Sequence, residues 1–183
     1  YRENRAYGLT LTGGVTDDRS RGSREYINFV TEIRKRLCEI PISVEIAPPP
    51  KNYYLDKLFN VKINALVINL EIYDENRRKK ICPGKSKISK ERYAEVWKYS
   101  LDNLGINQVA SVLIAGLEDK DSTIKGAEWM VNMGVIPTII PCHIFDGSAL
   151  QKEWGPKKKT IDPNDYLEIS MAVGELISKQ GLK

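Results

Sequence analysis

"NLEIYDENRRKKICPGKSKISKERY", residues Asn69–Tyr93, begins as an apolar strand and ends as the start of a helix. Asn69 and Glu71 share one face of that strand, because side chains alternate with a period of two. A carboxylate at the tip of an apolar strand is costly to bury unless it is paired or ligand-bound. Glu71 therefore either pairs with Arg77 or Arg78 or faces a ligand. The basic run Arg77–Lys80 has no aromatic partners nearby and reads as a solvated helix face, not a nucleic-acid patch. Cys82-Pro83-Gly84 breaks that helix and Ser89 opens the next. Arg92 then lies in a first turn, where cations are disfavoured, which suggests a nearby anion.

The same strand-then-helix pattern repeats along the chain. Short apolar runs at Tyr7–Leu11, Ile42–Ile46, Ala65–Leu70, Val109–Ile114 and Val135–Ile140 have the length of buried parallel strands. Helical periodicity joins Tyr26, Val30, Ile33 and Leu37, then Tyr93, Val96, Trp97, Leu101 and Leu104, then Tyr166, Ile169, Val173, Leu176 and Ile177. Asp162-Pro163 is an N-cap followed by Pro at the first helical position, and Gly105 and Gly134 stand where C-caps belong. The order βαβαβαβαβα, with no linker or repeat, predicts a single α/β domain over residues 1–183. Its strands are parallel with right-handed crossovers, either open and doubly wound or curved into a barrel. Both arrangements bind ligands at the carboxyl ends of the strands.

Those ends supply the candidate residues. Thr12, Gly13 and Gly14 follow the first strand, and glycine lets backbone approach a ligand closely. Glu45 alternates with Val44 and Ile46 before the stiff Pro48–Pro50 run. Ser111, Leu113 and Ala115 share a face of the fourth strand; Glu118 follows the Gly116 turn, and Asp119 and Asp121 suit a cap and a first turn. After the fifth strand come Cys142, His143 and Ile144. His143 is the only histidine, and without a ligand cluster or an acid–base partner it reads as a pocket-lining group.

Composition excludes several classes. The 183 residues suffice for one sizeable core, and 42% hydrophobic with 28% charged residues is ordinary globular usage. A net charge of +4 is too small to argue for nucleic acid or a membrane surface. No apolar run reaches the ~18 residues of a membrane span, and residues 1–5 contain no apolar signal segment. Three widely separated cysteines, Cys38, Cys82 and Cys142, argue for a reducing, cytoplasmic setting and against a disulfide framework. They form no closely spaced run that could hold an iron–sulfur cluster.

Taken together, the strand ends resemble the radical S-adenosylmethionine (radical SAM) superfamily, in the branch that includes biotin synthase, the HydE-type hydrogenase-maturation enzyme and methylornithine synthase. The likeness runs from Tyr7 onward. "LTGG" is similar to a Gly-Gly-Glu motif that receives the SAM amino group, with Val15 in place of the Glu. The Asn69–Tyr93 segment is the most specific match, running from a strand-tip Glu through a Pro-Gly turn to a helix-start Arg. "SVLIAGLE" resembles a Gly-x-Ile-x-Gly-x-x-Glu motif beside the adenine, with Ser111 and Ala115 where glycines are usual. "GVIPTIIPCHIFDGSAL" resembles the last strand, whose backbone around Cys142–Ile144 would bond the adenine edge.

The resemblance implies a partial TIM-like (β/α) barrel whose first βα unit is missing. It implies a cofactor-binding set of Thr12, Gly13, Gly14, Asn69, Glu71, Arg92, Ser111, Leu113, Glu118, Cys142, His143 and Ile144. Glu71 would contact the SAM ribose or amine and Arg92 its carboxylate. Glu45, Tyr73 and Thr138 are placed to meet a small-molecule substrate, and no catalytic residue or metal ligand is assigned within the chain. In this family a [4Fe-4S] cluster cleaves SAM to a 5′-deoxyadenosyl radical, for biosynthesis of a cofactor or amino acid. Here its cysteines are expected before Tyr1.

Three other classes compete. A cluster-less SAM- or nucleotide-like binding module would fit the same motifs without catalysis, and its exposed sheet edge could pair in a homodimer. A TIM-barrel lyase or aldolase would want a strand-end lysine, and none is present. Nucleic-acid binding through Lys157–Lys159 is disfavoured because those lysines sit in a Gly-Pro loop.

Overall fold

The computed structural model describes residues 7–15, 17, 19–155 and 160–183. Lys157–Lys159 lie outside the described residues. Five strands, β1 (Leu9–Leu11), β2 (Ile42–Glu45), β3 (Ala65–Val67), β4 (Val109–Ala115) and β5 (Ile136–Pro141), form one sheet in the order β1-β2-β3-β4-β5. Leu11 pairs with Val44, Glu45 with Val67 and Val67 with Ala110, all in parallel register. The spatial order never reverses, so the winding is that of a barrel segment and lacks the switch point of a doubly wound sheet. The expected α/β partial barrel is the fold observed.

Eight helices among the described residues connect or follow these strands: α1 (Ser23–Arg34), α2 (Tyr53–Asn60), α3 (Glu75–Ile81), α4 (Pro83–Ser86), α5 (Lys90–Leu104), α6 (Lys120–Asn132), α7 (Ala149–Trp154) and α8 (Pro163–Gln180). Several starts follow from one short polar side chain each. Ser89 accepts the Arg92 amide, Asp119 the Ser122 amide and Asp162 the Asn164 amide, so one orphan donor of each helix is satisfied locally. Gly105 is the C-cap of α5 as expected. Gly134 is not the cap of α6. Met133 takes that role and Gly134, at φ 85°, makes the left-handed turn just beyond it.

By packing, the chain forms two compact units. The first comprises Tyr1–Asn69 and Ile88–Ala110. Val30, Ile42, Val44, Leu55, Leu58, Leu66, Ile68, Tyr93, Val96 and Trp97 are fully buried in it, each contributing roughly 1.5–3 kcal/mol of transfer free energy. Arg34, in the last turn of α1, donates to the Ile40 carbonyl at 2.6 Å and to Asn64 Oδ1 at 3.1 Å. Asn64 Oδ1 in turn accepts the Ile42 amide at 2.8 Å, which sets where β2 begins.

The second unit comprises Leu70–Lys87 and Ser111–Lys183. Leu70, Ile72, Leu113, Ala115, Ala127, Met130 and Ile169 are fully buried there. Ile72, Leu117, Cys142 and Ile144 form a smaller cluster beneath Ile81, Leu150 and Trp154. Gly126 in α6 lets Tyr73 and Leu113 pack closely, since a Cβ on it would lie 2.7 Å from Tyr73 Cβ. No helix of the described residues is long and apolar enough to cross a membrane.

Candidate ligand-binding site

The strand expected over Ala65–Leu70 keeps its regular ladder only to Val67. Leu66 donates to the Gln108 carbonyl and Ile68 to Ala110, so a regular parallel ladder would next join Leu70 to Val112. Instead Glu71 donates to Val112 at 2.8 Å and accepts from Ile114 at 2.9 Å. One extra residue has entered the strand, a β-bulge. The Leu70 amide that it displaces donates to Ser111 Oγ at 3.2 Å, within the buried interior. Ser111, where the resembled motif has glycine, therefore repairs the ladder.

The bulge puts Glu71 at φ 69°, the left-handed region. A residue with a Cβ is about 1–2 kcal/mol strained there, and retained strain of this kind concentrates at functional positions. Its carboxylate meets neither Arg77 nor Arg78, so that expectation is corrected. The Lys85 ammonium pairs with Oε1, and the Cys82 thiol donates to Oε2 at 3.4 Å. Burial, followed by the Glu71 charge and hydrogen bond, pushes the Cys82 thiol up to about 11, so it stays a thiol at neutral pH. Lys85 stands in α4, the short helix that Pro83 opens, and the Arg78 guanidinium holds the Lys85 carbonyl at 2.8 Å.

Arg78 is thus buried, at 3% exposure, rather than part of a solvated face. Arg77 stacks on the Trp154 ring at 5.5 Å, while Lys80 pairs with Glu153 at 2.8 Å. Sequence inspection missed the roles of Arg77 and Lys80 because Trp154 and Glu153 are distant along the chain.

Glu118 also departs from expectation. It is 8% exposed, and its two oxygens accept the Tyr73 amide at 3.0 Å and the Asp74 amide at 2.6 Å. The carboxylate clamps the segment after Glu71 to the end of β4. Burial raises its pKa, opposed by those two amides. Leu113 is fully buried and bridges Glu71 through backbone only. Tyr73 stacks on Trp129 at 5.9 Å, between the sheet and α6. Cys142 donates its amide to Ala115 at 2.9 Å, Ile144 is buried in the small cluster, and His143 is exposed and bridges Thr160. Thr138 is exposed on β5.

In the first unit, Thr12, Gly13 and Gly14 are exposed after β1. A Cβ on Gly13 would stand 2.8 Å from the Tyr26 hydroxyl, whereas one on Gly14 would meet open space. Glu45 is half-buried and accepts from Asn69 Nδ2 at 2.6 Å. Arg92 has its expected place at the start of α5, but its guanidinium is already engaged. Nε and Nη2 donate to the Pro49 carbonyl at 2.9 and 2.6 Å, and Nη1 pairs with Glu95 at 2.7 Å.

A sizeable cavity lies in each unit among the described residues. That of the first, about 640 Å³, is lined by Leu11, Gly13, Gly14, Tyr26, Phe29 and Ile33. That of the second, about 810 Å³, is lined by Gly116, Glu118, Asp119, Lys120, Ile161 and Asp162. Neither includes Glu71 or Lys85; the strained strand tip carries more chemical information than cavity volume here.

No family model matches the sequence, and no curated protein is similar to it in sequence. Solved structures do match. Coproporphyrinogen III oxidase (HemN) from Escherichia coli, a radical SAM enzyme, superposes with a TM-score of 0.65 at 14% identity, over 87% of this chain and 37% of that one. A domain of pyruvate-formate lyase-activating enzyme from Bacteroides vulgatus superposes with a TM-score of 0.57 at 16% identity, over 97% of each chain. The fold is shared with radical SAM enzymes. The chain spans a little over a third of the length of HemN.

An iron–sulfur cluster does not fit the side chains at hand. No three His, Cys, Asp or Glu residues among the described ones are grouped to hold a metal ion. Cys38 is exposed, Cys82 half-buried and Cys142 buried. S-adenosylmethionine fits better: a half-exposed carboxylate and ammonium stand together at a strand tip, a donor set suited to its charged methionyl end.

Proposed function

We propose that this chain is the S-adenosylmethionine-binding part of a radical SAM enzyme acting on a small molecule. The observation that carries the reading is Glu71. It is a strained residue on a bulge at the carboxyl end of a central parallel strand, with a half-exposed carboxylate. Bulges re-aim side chains beside active sites, and ligands of parallel α/β folds bind at strand carboxyl ends. Glu71 would accept hydrogen bonds from the SAM amine or ribose. SAM, once bound beside a reduced cluster supplied by other residues, is the radical source in such enzymes.

Isothermal titration of the purified chain with SAM tests the reading. Saturable binding that Glu71→Gln weakens at least tenfold supports it; absence of any binding by the wild type sinks it.

The second reading, a cluster-less SAM-binding module, is favoured by one observation: the described residues contain no three-ligand metal group. Iron analysis of the protein purified anaerobically from its own cells separates the two. Bound iron supports the enzyme, and an iron-free protein that still binds SAM supports the module.

A further inference from the structure

Glu25 and Tyr26, neighbours in the first turn of α1, have no part in the radical SAM reading. Both line the cavity of about 640 Å³ in the first unit, together with Leu11, Phe29 and Ile33. We propose that this cavity binds a protonated primary amine carried on an aromatic or hydrocarbon body, with Glu25 and Tyr26 taking the ammonium. The inference goes beyond SAM binding and does not depend on it.

Three observations carry it. First, the Tyr26 side chain is only 7% exposed, yet its hydroxyl has no hydrogen-bond partner among the described residues. It stands against the cavity wall beside Gly13, where a Cβ would crowd it at 2.8 Å. Burial, then the charges of Glu45 and Glu25, raises its pKa, so the hydroxyl stays protonated in surroundings that favour a cation.

Second, Glu25 Oε2 is buried and unpaired. Buried polar groups are nearly always satisfied, so two exceptions on adjacent residues point to a missing partner. An ionised carboxylate only accepts, so that partner must be a donor. Rotation about the terminal torsion of Glu25 presents either oxygen to the cavity.

Third, no lysine or arginine among the described residues lines the cavity. The other carboxylate on its wall, Glu32, is already paired with Lys35 at 2.6 Å. Phe29 is 59% exposed and offers an aromatic surface to which a cation is attracted. Leu11 and Ile33 would cover the hydrocarbon body, and the volume is that of a small-molecule site. A quaternary ammonium, with no N–H, would leave Glu25 unsatisfied; the ligand class is a primary amine.

Phenethylamine is the probe, with phenethyl alcohol as its neutral counterpart and hydrocinnamate as its anionic one. Titration followed by amide NMR shifts both measures binding and locates it. Phenethylamine should saturate, with shifts centred on residues 11–14 and 25–33. It should bind about tenfold more tightly than the alcohol, the difference made by a hydrogen bond to a charged group. Hydrocinnamate should not bind. Glu25→Gln should weaken phenethylamine about tenfold and Tyr26→Phe by a smaller factor, with thermal melts confirming that both variants fold. Excess SAM should leave the bound amine in place. Equal binding of the amine and the alcohol overturns the proposal, as do shifts centred elsewhere, the absence of saturation, or an affinity unchanged in Glu25→Gln. Displacement by SAM overturns it too, since the cavity would then belong to the SAM site. The comparison of probes on the wild type decides the matter even if a variant fails to fold.

Discussion

The Ser111 hydroxyl accepts the Leu70 amide at 3.2 Å, and this single bond satisfies the backbone donor that the bulge at Glu71 would otherwise leave orphaned in the interior. Both residues are fully buried, so water cannot substitute. Ser111→Ala should cost about 1–3 kcal/mol, the penalty of an unsatisfied buried donor. Urea denaturation checks it: an unchanged midpoint would mean that the amide finds another partner.

The left-handed backbone at Glu71 separates strain from side-chain chemistry. Glu71→Ala and Glu71→Gly both delete the carboxylate, but only glycine relieves the conformation. Glu71→Gly should therefore be about 1 kcal/mol more stable than Glu71→Ala, while neither binds SAM as the wild type does. Equal stabilities of the two variants would refute the strain.

Cys82 reports on Glu71 through its ionisation. Its thiol is held up at about 11, chiefly by burial and then by the Glu71 charge. Alkylation by iodoacetamide near pH 8 should reach exposed Cys38 well before Cys82. Glu71→Gln removes the charge, so Cys82 alkylation near pH 9 should accelerate severalfold while Cys38 is unaffected. Peptide mass mapping against time gives both rates.

Glu118 gives a pH signature. Its pKa is raised in the folded state, mainly by burial, so folding favours the protonated form. The stability this contributes is fully present below the ordinary glutamate pKa and is lost as pH rises through the raised one. The wild type should therefore gain stability relative to Glu118→Gln as pH falls from neutral into the carboxylate range. Chemical denaturation at several pH values measures the difference; a gap that widens in the opposite direction would show the two amides outweighing burial.

Two glycines should behave oppositely. Gly116 has φ 96°, and a Cβ there would lie 2.9 Å from Ile161 Cβ. Gly116→Ala should lower stability by at least about 1–2 kcal/mol through strain and overpacking. Gly14→Ala, facing open space, should shift the melting midpoint very little. A melt of each variant decides the matter.

What could be read along the chain was what neighbours along the chain control. Alternating apolar runs and amphipathic stretches predicted a parallel α/β sheet, and the strand ends that carry candidate residues were placed within a few positions. Ser89, Asp119 and Asp162 were legible as helix starts because an N-cap bonds an amide two or three residues away. The bulge that shortens β3 was not legible, because it depends on which amide of one strand meets which carbonyl of another. Nothing between Ala65 and Leu70 signals an extra residue.

The charged residues divide in the same way. Sequence placed Glu71 at a strand tip and Arg92 at a helix start, and both stand there. Only the tertiary structure decided their partners: Lys85, 14 residues on, for Glu71, and the Pro49 carbonyl, 43 residues back, for Arg92. It likewise buried Arg78 within a run that looked solvated and turned Glu118 onto the amides of Tyr73 and Asp74. The physical reason is reach. Long charged side chains can satisfy themselves with any of many groups, and the choice falls to whichever the folded backbone brings within hydrogen-bonding distance.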